Sequence, residues 1–200
     1  MNIFYTDSDP KIAAQNMVDR HVVKMILESA QLLSTAHRLL DAKEYVGKSE
    51  SGKNIKRWKL SNEIDEILYS ATHNNHPSSI WTRKNSANYD WLYVHFISMG
   101  EEYTHRYGRN HLTIEKLGVI LKAKPKNINK SETITKMFPC MDEKYVVSED
   151  PITNYRNYYN NGKADLFRWT NRKPPSWIIG DITVTEDKKH NKIYLVKNNA

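Results

Sequence analysis

The sequence predicts a mainly α-helical fold, a compact multi-helix domain with a small C-terminal β-hairpin. Three observations predict it. The run 75–108, NHPSSIWTRKNSANYDWLYVHFISMGEEYTHRYG, carries Tyr89, Tyr93, Phe96, Gly100, Tyr103 and Tyr107 at alternating steps of four and three, which is one face of an α-helix. The run 19–40 repeats the pattern: Val22, Ile26, Leu33 and Leu40 centre an apolar face that Val23, Leu27, Ala30 and Ala36 widen. After Gly180, ITVT and KIYLV flank EDKKHN, which is strand chemistry around a turn. On this reading residues 1–179 are the helical domain and 180–200 a hairpin appendage of it.

Two hundred residues suit one domain, and 12 Tyr with 5 Trp in a 39% apolar chain argue for an ordered core. A net charge of +7 and a pI near 9.3 favour a polyanionic partner, of which nucleic acid is the commonest. The one cysteine, Cys140, allows no intrachain disulfide and fits a reducing compartment. No apolar run approaches membrane-spanning length, so neither a membrane partner nor export is expected, and the location expected is cytoplasmic.

In order along the chain, residues 2–6 (NIFYT) have strand character. Asp9 caps and Pro10 starts a short helix over 11–18. The helix over 19–40 carries a second stripe, His21, Lys24, Glu28, Gln31, Thr35 and Arg38, that is either a solvated face or the wall of a cleft. Residues 41–57 are polar and basic and read as a loop, and 58–72 as a helix capped by Ser61. His76-Pro77 opens a short helix with Ile80, Trp81 and Arg83, Ser86 caps the long one, and Gly108 stops it. Trp91, His95, Glu102 and Arg106 form its polar face. Thr113 caps a helix over 114–121, 122–136 is a basic loop, and Asp150-Pro151 starts a helix over 152–160 that Gly162 ends. Residues 164–169 give one more helical turn.

Three constellations bear chemistry. Tyr155, Arg156, Tyr159, Arg168, Trp169 and Arg172 interleave stacking rings with phosphate-neutralising cations, as contacts to unstacked nucleotides require. Lys24 and Glu28, one helical turn apart beside His21, suit acid/base or Schiff-base work if burial lowers the lysine's proton affinity. His76, Arg83 and Tyr89, with Glu102 and Arg106, suit substrate binding in a cleft. His73, His76, His105 and His111 lack the spacing of a zinc site, and no CxxC or HExxH occurs, so no metal and no cofactor are expected. The absence of GxGxxG, GxSxG and phosphate-loop patterns excludes dinucleotide dehydrogenases, serine hydrolases and P-loop NTPases.

DRHVVKMILESAQLLSTAHR, NHPSSIW, EEYTHRYG and YRNYY resemble a family of small phage-borne proteins. Over roughly residues 1–110 the chain also resembles pyrimidine-dimer DNA glycosylases of the phage endonuclease V type. That likeness is carried by Asn75-His76-Pro77, then an aromatic-rich helix with Tyr89 and Leu92, then Glu102, Arg106, Tyr107 and Gly108. The resemblance implies a compact helical protein acting on DNA, in the cytoplasm of an infected host cell. Such enzymes attack the sugar C1′ with the α-amino group of a processed N-terminus, assisted by a Glu on an early helix, and then cleave the strand by β-elimination. The chain departs from that pattern at Asn2, a residue large enough to leave Met1 in place. Glu28 is the only Glu on the first long helix, and either Lys24 takes the nucleophile's role or the chemistry differs.

The leading expectation is thus a phage DNA glycosylase/lyase with Glu28, Lys24 and His21 as its catalytic group. The alternatives are an enzyme modifying free nucleotides or nucleotide-sugars, and a non-catalytic protein binding host nucleic acid or a host protein. DNA is the first partner expected and a free nucleotide the second. Nothing in the sequence sets the oligomeric state.

Overall fold

The computed structural model describes residues 1–61 and 63–197. Helices dominate it, with two small antiparallel sheets: α1 (Pro10–Asn16), α2 (Asp19–Asp41), β1 (Lys43–Lys48), β2 (Asn54–Lys59), α3 (Pro77–Lys84), α4 (Ser86–Tyr107), α5 (Leu112–Leu117), α6 (Pro151–Gly162), β3 (Arg168–Thr170), β4 (Asp181–Glu186) and β5 (Lys192–Lys197).

Three helix starts fall where the capping chemistry put them, whereas α5 spans Leu112–Leu117 behind a His111 cap, not 114–121 behind Thr113. Asp9 accepts from the Lys11 and Ile12 amides ahead of Pro10, and Asp150 from those of Ile152 and Thr153 ahead of Pro151. His76 caps α3 through its ring, accepting from the Ser78 amide. Asn85 caps α4, one residue before the expected Ser86, and Gly108 ends that helix at φ 67°.

The core forms where α1, α2 and α3 pack on α4 and on one another. Val22, Ile26, Leu33, Leu92, Phe96 and Met99 are buried there. Val23 and Leu27, expected to widen the apolar face of α2, lie exposed, whereas Ala30 and Ala36 are buried. Helix α4 is buried on its polar face as well: Trp91, His95, Glu102 and Arg106 all point inward. Gly100 brings α5 close, because a Cβ there would sit 2.6 Å from Ile114 Cγ1.

Four expectations are corrected. Residues 2–6 are not a strand: Phe4 adopts φ 52°, and the Thr6 amide closes a tight turn on its carbonyl. The basic loop expected over 41–57 is a hairpin, β1–β2, in the register Lys43↔Lys59 to Lys48↔Asn54. Its turn is shaped by Gly52 at φ 79°. Among the described residues of 58–72 the expected helix is absent apart from one 3-10 turn at Glu63–Asp65, residue 62 lying outside them. Arg38 holds that stretch instead, donating to the carbonyls of Trp58, Asp65, Leu68 and Tyr69 and to the Asp65 carboxylate. The helical turn expected over 164–169 narrows to Ala164–Leu166 and gives way to β3.

The C-terminal hairpin is present as β4–β5, and β5 also pairs with β3. Ile193 and Val196 are buried, so this unit is stitched into the helical body. Residues 198–200 of the predicted appendage lie outside the described residues.

Candidate functional site

The polar stripe of α2 faces protein along most of its length. At its C-terminal end Arg38 is engaged as described, and one turn back Thr35 Oγ1 exchanges hydrogen bonds with the amide and carbonyl of Thr72. The chain after Thr72 turns tightly through His73, at φ 51°, and the His76 amide donates to the His73 carbonyl. That turn brings His76 within electrostatic reach of Glu28 on α2.

Glu28 is the centre of the site. Its side chain is 13% exposed, and Oε1 lies 3.2 Å from Lys24 Nζ. Oε2 accepts from the Asn2 amide at 3.1 Å and lies 3.9 Å from the amino group of Met1. His76 is near enough to feel these charges. Burial pulls its proton affinity down, the Met1 ammonium and His73 pull it further down, and the Glu28 carboxylate pushes it back up. The His73 and His76 rings stand 6.5 Å apart, edge to face.

A short network fixes the start of the chain in place. The Asn2 side chain accepts from the Ile3 and Phe4 amides and from the Tyr155 hydroxyl, and it donates to the Cys140 carbonyl. Phe4, in its left-handed conformation, stacks on His21 with ring centroids 4.2 Å apart. Left-handed backbone at two non-glycine residues, Phe4 and His73, borders the Glu28 site, and such strain persists only where the surroundings impose it.

The structure sorts the predicted residues into three groups. Glu28 and Lys24 are paired, and His76 lies near enough to feel the Glu28 charge. Arg83 lies two turns along α3 from His76, on the same helical face, half-buried, donating to Ser79 Oγ and without a carboxylate partner among the described residues. Burial lowers its proton affinity.

The second group is a correction. His21 is buried, its Nδ1 is held 2.7 Å from the Tyr159 hydroxyl, and burial together with the Lys163 and Lys24 charges lowers its pKa to about 3. A ring so engaged and kept neutral supports the site rather than shuttling protons. Tyr89 is fully buried, bonded to the Leu121 carbonyl and to His37, and therefore lines no cleft. Glu102 and Arg106 belong to a buried ionic cluster. Arg106 donates to Glu102 and Asp19, Arg172 forks onto Glu102, and Arg168 and Thr170 reach Asp19. Burial alone would raise the Glu102 pKa, and the two arginines outweigh it and hold it low. Lys24, expected to be desolvated, is 70% exposed.

The third group is the expected nucleic-acid surface, also corrected. Tyr155, Tyr159 and Trp169 are completely buried, so their faces are closed to bases. Arg156 is tied to Asp7 and the Thr6 carbonyl, with Trp177 beneath it, and Arg168 and Arg172 are tied to Asp19 and Glu102. The three rings are core, while Arg156 and Arg172 are partly exposed clamps and Arg168, though paired with Asp19, is 51% exposed.

Among the described residues no three His, Cys, Asp or Glu side chains converge as a metal site. No described helix is long and apolar enough to cross a membrane. No protein-family model matches the chain, and neither the curated proteins nor the solved structures give a match.

Proposed function

We propose that the chain is a DNA-processing enzyme acting at a base or its glycosidic bond, a glycosylase with associated lyase chemistry. One observation carries the reading: two amines, at Met1 and Lys24, converge on a single sheltered carboxylate, Glu28. The resemblance to pyrimidine-dimer glycosylases implies the same pairing of an amine with a Glu on an early helix. A phage origin and the cytoplasm of an infected cell belong to the same proposal.

In this chemistry a neutral amine bonds to C1′ while the bond from C1′ to the base nitrogen breaks. The base leaves with the bonding pair and acquires a proton. The amine loses its proton as the sugar ring opens to an iminium, and loss of a proton from C2′ then expels the 3′ phosphate. Glu28 takes the amine proton and returns it to the leaving group or the ring oxygen. His76, beside Glu28, and Arg83, two turns further along α3, orient the sugar and its phosphate. The Met1 amine is the better shielded of the two nucleophile candidates, since Lys24 stands in water. The target nucleotide leaves its stack to reach such a group.

Borohydride reduction in the presence of abasic duplex tests the proposal. Wild type should be trapped covalently on the strand, and Glu28→Gln should lose most of that adduct. An adduct surviving in Lys24→Ala assigns the nucleophile to Met1. Neither adduct nor strand cleavage from wild type on abasic or damaged DNA, with turnover of mononucleotides instead, would sink it.

A further inference from the structure

We infer that the β1–β2 ribbon is an arm that seats in the groove of duplex DNA. The net charge of +7 has to reside somewhere, and Arg156, Arg168 and Arg172 each already hold a carboxylate partner. The ribbon, residues 43–59, carries six cationic residues against two acidic ones. Among the described residues only Lys56 has an ion-pair partner there, Glu44 at 2.9 Å. Among the described residues Lys43, Lys48, Lys53 and Arg57 have no ion-pair partner, and Lys59 feels the Asp65 carboxylate only from beyond ion-pair distance.

The pairing of the strands points the same way. Lys43 sits directly opposite Lys59, a like-charge pair that opposes hairpin formation in water and is relieved by a polyanion laid across it. Gly47 leaves that face bare, so the Arg57 stem and the Tyr45 ring lie over it: a Cβ there would be 2.9 Å from Arg57 Cγ and 3.4 Å from Tyr45 Cε2. Tyr45 is 48% exposed and Val46 69%, apolar groups that internal packing does not explain. Where the ribbon meets the helical body, Tyr45, Lys48, Lys56, Arg57 and Trp58 line a groove of about 550 Å³ together with the Arg38–Asp65 ion pair, whose charges offset each other.

Size selects the partner. Two strands about 4.8 Å apart, with side chains, match a B-form major groove about 12 Å wide. The deep, narrow major groove of A-form RNA does not admit them. Ser70 and Ala71 also line the groove, and the same segment runs on through Thr72 to His76, so the arm and the Glu28 site are joined by a few residues of chain. Binding by the arm is separable from the chemistry at Glu28.

Fluorescence anisotropy of the full chain with a duplex of about 20 base pairs, across a salt series, tests the inference. The triple variant Lys48→Gln/Lys53→Gln/Arg57→Gln should bind at least ~10-fold more weakly at moderate salt, with the slope of log K against log salt reduced by about 2 to 3. The charge-keeping Lys48→Arg/Lys53→Arg/Arg57→Lys should bind like wild type, and so should Lys188→Gln/Lys189→Gln in the other hairpin's turn. Glu28→Gln should lose the borohydride adduct yet keep duplex affinity, so a failure of the chemistry is read separately from a failure of the arm. Unchanged affinity and slope in the triple variant, an equal loss in the Lys188/Lys189 variant, or tighter binding of duplex RNA than of duplex DNA would each overturn it.

Discussion

Arg172 forks onto Glu102, with Nε 2.9 Å from Oε1 and Nη2 2.6 Å from Oε2, and so ties the strand β3 region to the C-terminal part of α4. Arg106 shares the same carboxylate from within the helix and carries the network on to Asp19. Removing one member leaves a buried charge uncompensated. Glu102→Ala should therefore lower the unfolding free energy by about 3 to 5 kcal/mol, as read by urea denaturation. Arg172→Ala should cost less, because its own head is partly in water while Arg106 still covers Glu102. A loss below ~1 kcal/mol for Glu102→Ala would contradict the clamp.

His95 has both ring nitrogens buried without a partner, and burial lowers its pKa to about 3. His21 is lowered to about 3 as well. In each case the unfolded chain binds the proton more readily than the native one. Their stabilising effect is therefore complete above a pH of ~6.5 and is lost as pH falls toward 3. Each histidine should contribute a slope of about 1.4 kcal/mol per pH unit within that window. His95→Leu should remove one such slope and hold or raise stability at neutral pH, since no hydrogen bond is forfeited. Denaturant titrations at pH 7, 5.5 and 4.5 check both statements.

Gly100 is a packing requirement. A Cβ there meets Ile114 at 2.6 Å and 2.7 Å, which forces the α5 side chain to move. Gly100→Ala should cost about 1 to 3 kcal/mol despite the better helix propensity of alanine. Ile114→Val or Ile114→Ala in the same chain should restore part of it. Thermal melts of the two single variants and the double close the cycle.

Glu28→Gln should reduce any glycosidic or lyase rate by at least ~10²-fold, as removal of a general acid/base does, with little change in melting temperature. Arg83→Gln should instead raise KM more than it lowers kcat, since the proposed reading gives the arginine a binding role and no part in proton transfer. Steady-state rates on abasic oligonucleotides distinguish the two patterns.

Much of the helical architecture was legible in the sequence because it is written in caps and stops: Asp9-Pro10, His76-Pro77, Gly108 and Asp150-Pro151 each mark an observed boundary. The β1–β2 ribbon was not, since both its faces are exposed and alternation leaves no apolar side to detect. The stretch after it was misread because Leu60, Ile64, Ile67 and Leu68 have helical spacing, while its conformation is set by a distant arginine. At the site, the α2 stripe revealed Glu28 and the helix start revealed His76. The nearness of the Met1 amine depends on long-range contacts through Asn2, which no local pattern encodes. The Tyr155–Trp169 cluster shows the converse error. Interleaved rings and cations look alike whether they face a base or a protein core, and only burial tells them apart.

Arg38 uses one guanidinium to fasten four carbonyls and a carboxylate between Trp58 and Tyr69. A stretch with almost no regular structure of its own thus takes its path from a single rivet. One end of that path is the arm and the other is the turn that aims His76, so tension on either is mechanically available to the other. Lysine in place of Arg38 cannot reach all five acceptors, and both ends would slacken together.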